Sequence, residues 1–370
     1  MNTDGRIHFL DAARAILMFL GIPYHVAMVY RTGNDWEFAT SDEQSVLLSY
    51  VAEFIHIFRM PLFFMVAGYF AMLMLSRKDP GRWFGGRIFK LGVPLVAAGL
   101  VLNPISLLVQ DDSAMLLAYV GDHWLAHLWF LPTLIYLCAV LAVMQATPLQ
   151  RWFERGVDWL VERPAIGVPA FLVVTGSVSG FASMLGSRVP DTFILTSTVL
   201  SALGFLPYML FGAAMCVNRR LLVAVSHSSF PAFAITMVPL AFAMMTSWGG
   251  GAMNIARVFA ITMVCFGFAC TLLTLCRLLL DRPSKRVRNI ADASFTVYLV
   301  HFPLLNVFYK LIAPANMPVP LEFALLVASV AVVSYFVHRL ISRSDLLMLL
   351  FNGASLKRLS RRSGAIQVVK

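Results

Sequence analysis

Apolar stretches long enough to cross a bilayer, about 20 residues each, recur from residue 10 almost to the end of the chain, separated by short charged or proline- and glycine-rich breaks. Within lipid no water is at hand to satisfy backbone amides, so such segments are either helices or strands of a closed barrel. These runs are too long for barrel strands and lack their apolar/polar alternation. The chain is therefore predicted to be an all-α polytopic transmembrane bundle. Ten spans are placed near 10–30, 46–75, 91–109, 125–146, 165–186, 194–216, 228–247, 255–278, 295–313 and 321–341. With 59% hydrophobic and 13% charged residues, the composition excludes an ordinary soluble enzyme.

A net charge of +10 in a soluble protein would point to nucleic acid, but here the charges sort by loop. Of the 29 Lys and Arg, 23 fall on one side: Arg6, Arg77 to Lys90, Arg151 with Arg155 and Arg163, Arg219 with Arg220, Arg277 to Arg288, and Arg339 to Lys370. The opposite loops hold only Arg31 and Arg188 as bases, among Asp35, Glu37, Asp42, Glu43, Asp111, Asp112, Asp122 and Asp191. The positive-inside rule then places both termini in the cytoplasm, which requires the even number of spans found. The partner this charge implies is the lipid bilayer, and no nucleic acid. The spans form one domain, 1–345, followed by a basic cytoplasmic tail, 346–370, whose KRLSRRSG stretch suits anionic lipid. The first apolar run is interrupted by Arg14 and His25 and lacks a small-residue cleavage site, so it is expected to be a retained span. Cys138, Cys216, Cys265, Cys270 and Cys276 show no ligand spacing and are expected to be small core residues.

Ionisable side chains inside a membrane are costly, and each marks a candidate site. Arg14 and His25 are eleven residues apart, which on one straight helix returns them to nearly the same face about 16 Å apart along the axis. A guanidinium nearer the cytoplasm can hold a phosphate, and a deeper imidazole can take a proton from a hydroxyl. Glu53, His56 and Arg59 follow at i, i+3 steps and share a face on which they can pair, lining a polar cavity or orienting His25. Arg87 and Lys90, also i, i+3, open the third span within a basic segment suited to a polyphosphate. His123 and His127 have a zinc-compatible i, i+4 spacing, but no second cluster completes a site, and no metal is expected. His127 also begins HLWFL (127–131), where Trp129 can stack on a sugar. Ser294, Tyr298 and His301 lie along one face of the ninth span. No nucleophile elbow, phosphate loop or dinucleotide fingerprint is present, which favours direct transfer over a covalent relay.

The R-x10-H spacing of Arg14 and His25 resembles that of membrane acyltransferase family 3. FIHIFRMPLFFMVAGYF (54–70), HLWFLPTL (127–134) and FTVYLVHFPL (295–304) are similar to other recurrent blocks of that family. The opening FLDAARAILMFLGIPYHVAMVY (9–30) resembles a subfamily that attaches succinyl groups to osmoregulated periplasmic glucans. The likeness runs from about residue 6 to 345 and is densest in the first two spans. It implies a multi-pass enzyme of the bacterial inner membrane, with His25 as the catalytic residue, Arg14 contacting an acyl-CoA donor, and the basic pair opening the third span helping to hold it. That pair departs from the family's R-x-x-R, because Lys90 keeps the charge but not the bidentate fork.

Residues and resemblance together lead to an expected O-acyltransferase that moves a succinyl group from cytoplasmic acyl-CoA, as co-substrate, to hydroxyls of a periplasmic glucan. Its expected site assigns catalysis to His25, Glu53 and His56, donor binding to Arg14, Arg87 and Lys90, and substrate binding to Arg59, His127, Trp129, Tyr298 and His301. Arg59, Arg257 and Lys310 are alternative cations for the far end of the acyl group. Two rival readings stay open: O-acetylation of another envelope polysaccharide, and a secondary transporter of a small anion or sugar.

Overall fold

A computed structural model describes residues 7–33, 41–109, 124–188, 194–228, 230–245 and 252–353; the proposed His123/His127 pairing lies partly outside them. The described residues form helices α1 (His8–Phe19), α2 (Gly21–Val29), α3 (Val46–Leu75), α4 (Pro80–Val109), α5 (Phe130–Ala146), α6 (Leu149–Glu162) and α7 (Pro164–Gly186). They continue as α8 (Ile194–Val217), α9 (Arg219–His227), α10 (Phe230–Met245), α11 (Ala252–Leu280), α12 (Lys285–Ile312), α13 (Val319–Ile341) and α14 (Asp345–Asn352). Among the described residues, nine helical segments are long and apolar enough to cross a membrane, with α1 and α2 together making the first. The tenth apolar run is α10, a helix of 16 residues. The protein is an all-α polytopic bundle, as its hydropathy requires.

Local chemistry sets the helix ends. The Ser45, Ser284 and Ser344 hydroxyls accept from the backbone N–H groups of Leu48, Val287 and Leu347, capping α3, α12 and α14. Pro164 opens α7, where its missing N–H costs nothing.

Four features differ from the sequence reading. The first span is not one straight helix: it breaks at Leu20, between α1 and α2. Pro23 has no N–H to give the carbonyl of Phe19, and Gly21 adds freedom beside it, so the ladder loses a bond there while Leu20 N and Tyr24 N still donate to the Ile16 and Leu20 carbonyls. Second, α4 starts at Pro80, capped by Asp79 Oδ1 accepting from Arg82 N at 2.9 Å, so the helix of the third span begins well before residue 91 and includes Arg82. Third, Leu149–Glu162 is an amphipathic helix that buries Val157 and Leu160 and exposes Trp152, the pattern of a helix lying at a membrane surface. Fourth, the chain beyond 345 folds back as α14 against α4. Phe351 O accepts from Thr296 Oγ1 at 3.3 Å, Asn352 Nδ2 donates to Thr296 Oγ1 at 2.9 Å, and Gly353, at φ +63°, seats on the Lys90 backbone. Of the expected tail, residues 346–353 therefore belong to the bundle, and the remainder lies outside the described residues.

The core is centred on α3, which packs most extensively against α8. Their backbones meet at Gly68 and Gly212: a Cβ on Gly68 would collide with the Met209 carbonyl, and one on Gly212 with that of Met65. Lipid tails offer no hydrophobic drive for helix association, and close backbone approach at small residues supplies it instead. α2 packs on α3 and also on α12, which brings the α2 and α12 histidines together beside the middle of α3.

Candidate active site

The middle of α3 lies in the bundle centre, and Arg59 there is only 8% exposed. Its guanidinium stands over the Tyr24 ring, 4.6 Å from the centroid, a cation–π contact that gains strength away from water. It reaches that position because position 21 has no side chain: a Cβ there would lie 2.6 Å from Arg59 Nη1 and 3.7 Å from His301 Nε2. The break before α2 thus places a bare stretch of backbone under both groups.

Three imidazoles gather beside this cation. The His25 ring, from α2, lies 5.2 Å from that of His301 on α12, and His301 lies 5.5 Å from His127. Phe302 stacks on His127 at 4.7 Å and presents its edge to His25 at 5.4 Å. His127 sits in a one-turn 3-10 helix, Ala126–Trp129, entered through Ala126 at φ +39°. A non-glycine residue there stores about 1 kcal/mol or more of backbone strain, and Tyr298 holds the turn in place by donating its hydroxyl to the His127 carbonyl at 2.5 Å. His301 Nδ1 lies 2.7 Å from the Tyr298 carbonyl oxygen. That oxygen only accepts, so Nδ1 carries the proton and Nε2 turns a lone pair inward in the neutral ring.

A polar cavity of about 410 Å³ adjoins the cluster, its wall including Tyr24, Arg31, Ser49, Glu53, His56 and Arg257. Tyr24 belongs to both places, since its ring stacks on His56 at 5.7 Å and meets the His25 ring edge-on at 4.8 Å. Glu53 forms an ion pair with Arg257 of α11, whose Nε also donates to the Ala243 carbonyl at 3.2 Å. The shared face expected of Glu53, His56 and Arg59 is present, but the three do not pair with one another. Glu53 reaches a helix 204 residues away in sequence, while His56 and Arg59 both pack on Tyr24.

A second cavity, about 510 Å³, lies at the other end of α3, lined by Met74, Lys78, Arg82, Trp83, Arg87 and Lys90 together with Asp79 and Gly86. Arg87 packs on the Trp83 ring at 5.2 Å. Arg14 lies within electrostatic range of Arg87, over the Phe70 ring at 5.5 Å and 3.5 Å from Asp11. Arg14 and His25 therefore both face α3 but at different depths, and neither is among the residues lining the two cavities.

The structure thus brings together His25, His56, Arg59, His127, Tyr298 and His301, sets Glu53 in the adjoining wall, and groups Arg87 and Lys90 with Arg14 nearby at the far end. Trp129 is not brought to this cavity and stacks on Phe205 at 6.1 Å. Tyr24, Gly21 and Phe302 went unread in the sequence, although a glycine two residues before a proline in an apolar span is a signal for the break. Arg257 was read as one of three alternative cations, without its link to Glu53. Among the described residues no group of three or more His, Cys, Asp or Glu has the geometry to hold a metal ion.

A family profile described as an acyltransferase domain matches residues 7–339, from the first span to the last. Glucans biosynthesis protein C of Salmonella schwarzengrund is 30% identical to the chain over 94% of its length and 95% of the relative's. The protein of the same name from Salmonella agona shows the same identity and coverage, and that from Salmonella dublin is 29% identical. No solved structure gives a significant match. A match of this extent, on a bundle that buries an imidazole cluster beside a polar cavity, shows that the chain belongs to the acyltransferase-domain family and is a membrane acyltransferase.

Proposed function

We propose that the protein is an O-acyltransferase of the bacterial inner membrane, with both termini cytoplasmic, that transfers a succinyl group from cytoplasmic acyl-CoA to hydroxyls of a periplasmic glucan. The observation that carries this reading is the distance along α3 from the basic cavity to Arg59 and the histidine cluster. The basic cavity reaches Met74, and Arg59 lies fifteen residues earlier on the same helix. That is about 22 Å at the rise of an α-helix, close to the length of an extended pantetheine arm, roughly 20 Å at ordinary bond lengths. A donor whose phosphates rest on Arg87 and Lys90, with Arg14 close by, therefore delivers its thioester to the level of the histidine cluster.

From the other side, the wall of Glu53, His56, Arg257, Arg31, Ser49 and Tyr24 offers donors, acceptors and aromatic faces, with Glu53 and Arg257 paired to each other, which suits a polyhydroxyl acceptor. His25 takes the proton of the acceptor hydroxyl. Glu53 and His56 orient that hydroxyl from the wall, while His127, Tyr298 and His301 shape the pocket for the acyl group. The periplasmic glucan as acceptor is supported by the printed name of the relatives. The succinyl group rests on the resemblance of residues 9–30 to the succinylating subfamily.

The test is an assay of purified protein with labelled succinyl-CoA or acetyl-CoA and periplasmic glucan, read by mass spectrometry. Succinylated glucan is expected, and Arg87→Gln should raise the KM for the donor about tenfold, the loss of one charge-assisted phosphate contact, with kcat nearly unchanged. Transfer to lipopolysaccharide instead of glucan would reassign the acceptor. Flux of a small anion across proteoliposomes without donor would replace the enzyme reading by a transporter.

A further inference from the structure

We infer that Arg59 is itself a catalytic residue, whose guanidinium stabilises the oxyanion formed when the acceptor hydroxyl attacks the acyl carbonyl. The inference rests on the proposed transfer from a thioester beside His25 and assigns a role that neither the family match nor the motif spacing supplies.

Arg59 is buried at mid-span, yet it makes no hydrogen bond or ion pair among the described residues. Its Nε is fully enclosed without a partner, and its neighbours are the Tyr24 ring and the imidazole of His301. The other intramembrane cations are engaged: Arg257 by Glu53 and the Ala243 carbonyl, Lys310 by the Val109 carbonyl. A desolvated cation with unused donors is costly unless an anion meets it. His301, beside it, is an ineffective partner for negative charge. The neutral His301 ring turns its Nε2 lone pair toward the same bare point of the Gly21 backbone that Arg59 approaches, so it can accept a proton but not donate to an oxyanion. The geometry therefore sets proton acceptors and one fixed positive donor side by side against the Gly21 backbone, the pairing acyl transfer requires.

The step balances without a further reactant. The hydroxyl oxygen bonds to the thioester carbon as its proton passes to His25, and the carbonyl π pair moves onto oxygen beside Arg59. When that pair returns, the C–S bond breaks, and the departing thiolate takes the proton from the His25 imidazolium. Positive charge at Arg59 is most useful while the pair sits on oxygen, so its loss should lower kcat far more than it weakens donor binding.

The experiment measures kcat and KM for Arg59→Gln and Arg59→Lys with succinyl-CoA, butyryl-CoA and acetyl-CoA, alongside binding of a non-hydrolysable thioether analogue of acyl-CoA. Arg59→Gln is expected to lower kcat about 100- to 1000-fold with all three donors alike, with donor KM and analogue affinity within about threefold. Arg59→Lys should recover roughly tenfold of the loss, a point charge without the fork. A loss confined to succinyl-CoA would make Arg59 a reader of the acyl carboxylate and overturn the inference. So would a raised KM at unchanged kcat, or loss of analogue binding in both variants. Wild-type protein inactive with every acyl-CoA would remove the donor reading itself, whereas active wild type with unimpaired Arg59 variants would remove only this inference.

Discussion

Replacing His25 by alanine is expected to lower acyl transfer by at least about a thousandfold, the upper range for loss of a general base, while leaving an inserted and folded protein. The imidazole links the two parts of the site: it meets Tyr24, which walls the polar cavity, and His301, which approaches Gly21 alongside Arg59. Its packing neighbours, Phe302 of α12 and Tyr24 of α2, keep their stacking on His127 and His56 without it, so truncation leaves a small void costing about 1 kcal/mol. The expected result is near-zero turnover, unchanged helix content by circular dichroism, an unaltered size-exclusion profile and retained binding of a thioether donor analogue. His25→Ala turning over at more than about a tenth of the wild-type rate would exclude it as the base.

The second large effect is structural. Gly212→Leu should remove the folded protein, because a side chain there points at the Met65 backbone carbonyl, and backbone of a packed helix cannot give way as a side chain does. Overpacking of flexible side chains costs about 1–3 kcal/mol; separating α3 from α8 costs more, since their crossing carries the largest contact in the bundle. Purified variant is expected to aggregate in detergent or to lose its cooperative thermal transition. Gly204→Leu on the same α8 is the matched control. There a Cβ meets only the Ala182 methyl, at 3.5 Å, so α7 can yield. Equal stability of the two variants would contradict the account of this crossing.

Hydropathy made the bundle legible because a bilayer leaves the backbone only one economical conformation, so ten apolar runs translate directly into helices. Part of the site was legible for the same reason: His25, Arg59, His127 and His301 each stand out as polar groups where polarity is costly. Local spacing succeeded within a helix, placing Tyr298 and His301 together on α12. Eleven residues at 100° each set Arg14 and His25 at different depths of the first span, but their spacing carried no sign that α1 and α2 would be separate helices at Leu20. Pairing across helices was not legible at all. The spacing of Glu53, His56 and Arg59 suggested an internal network, whereas Glu53 is held by Arg257, whose proximity depends on how α11 packs against α3. Gly21 shows the same limit. Its importance lies in what two other helices place above it, which no local pattern encodes. The helical start at Pro80 was missed because hydropathy registers the apolar part of a helix and passes over the charged turns that project beyond it.

The account depends on the acyl carbonyl coming to rest among His25, His301 and Arg59 while the donor's phosphates remain at the other end of α3. A density map of the wild-type protein with a bound thioether analogue of succinyl-CoA tests this directly. The expected map shows the phosphates against Arg87 and Lys90, and the carbonyl oxygen within hydrogen-bond distance of the Arg59 guanidinium, next to the His25 ring. An analogue whose acyl end lies outside the histidine cluster, with lipid or packed side chains filling the space beside Gly21, would contradict it.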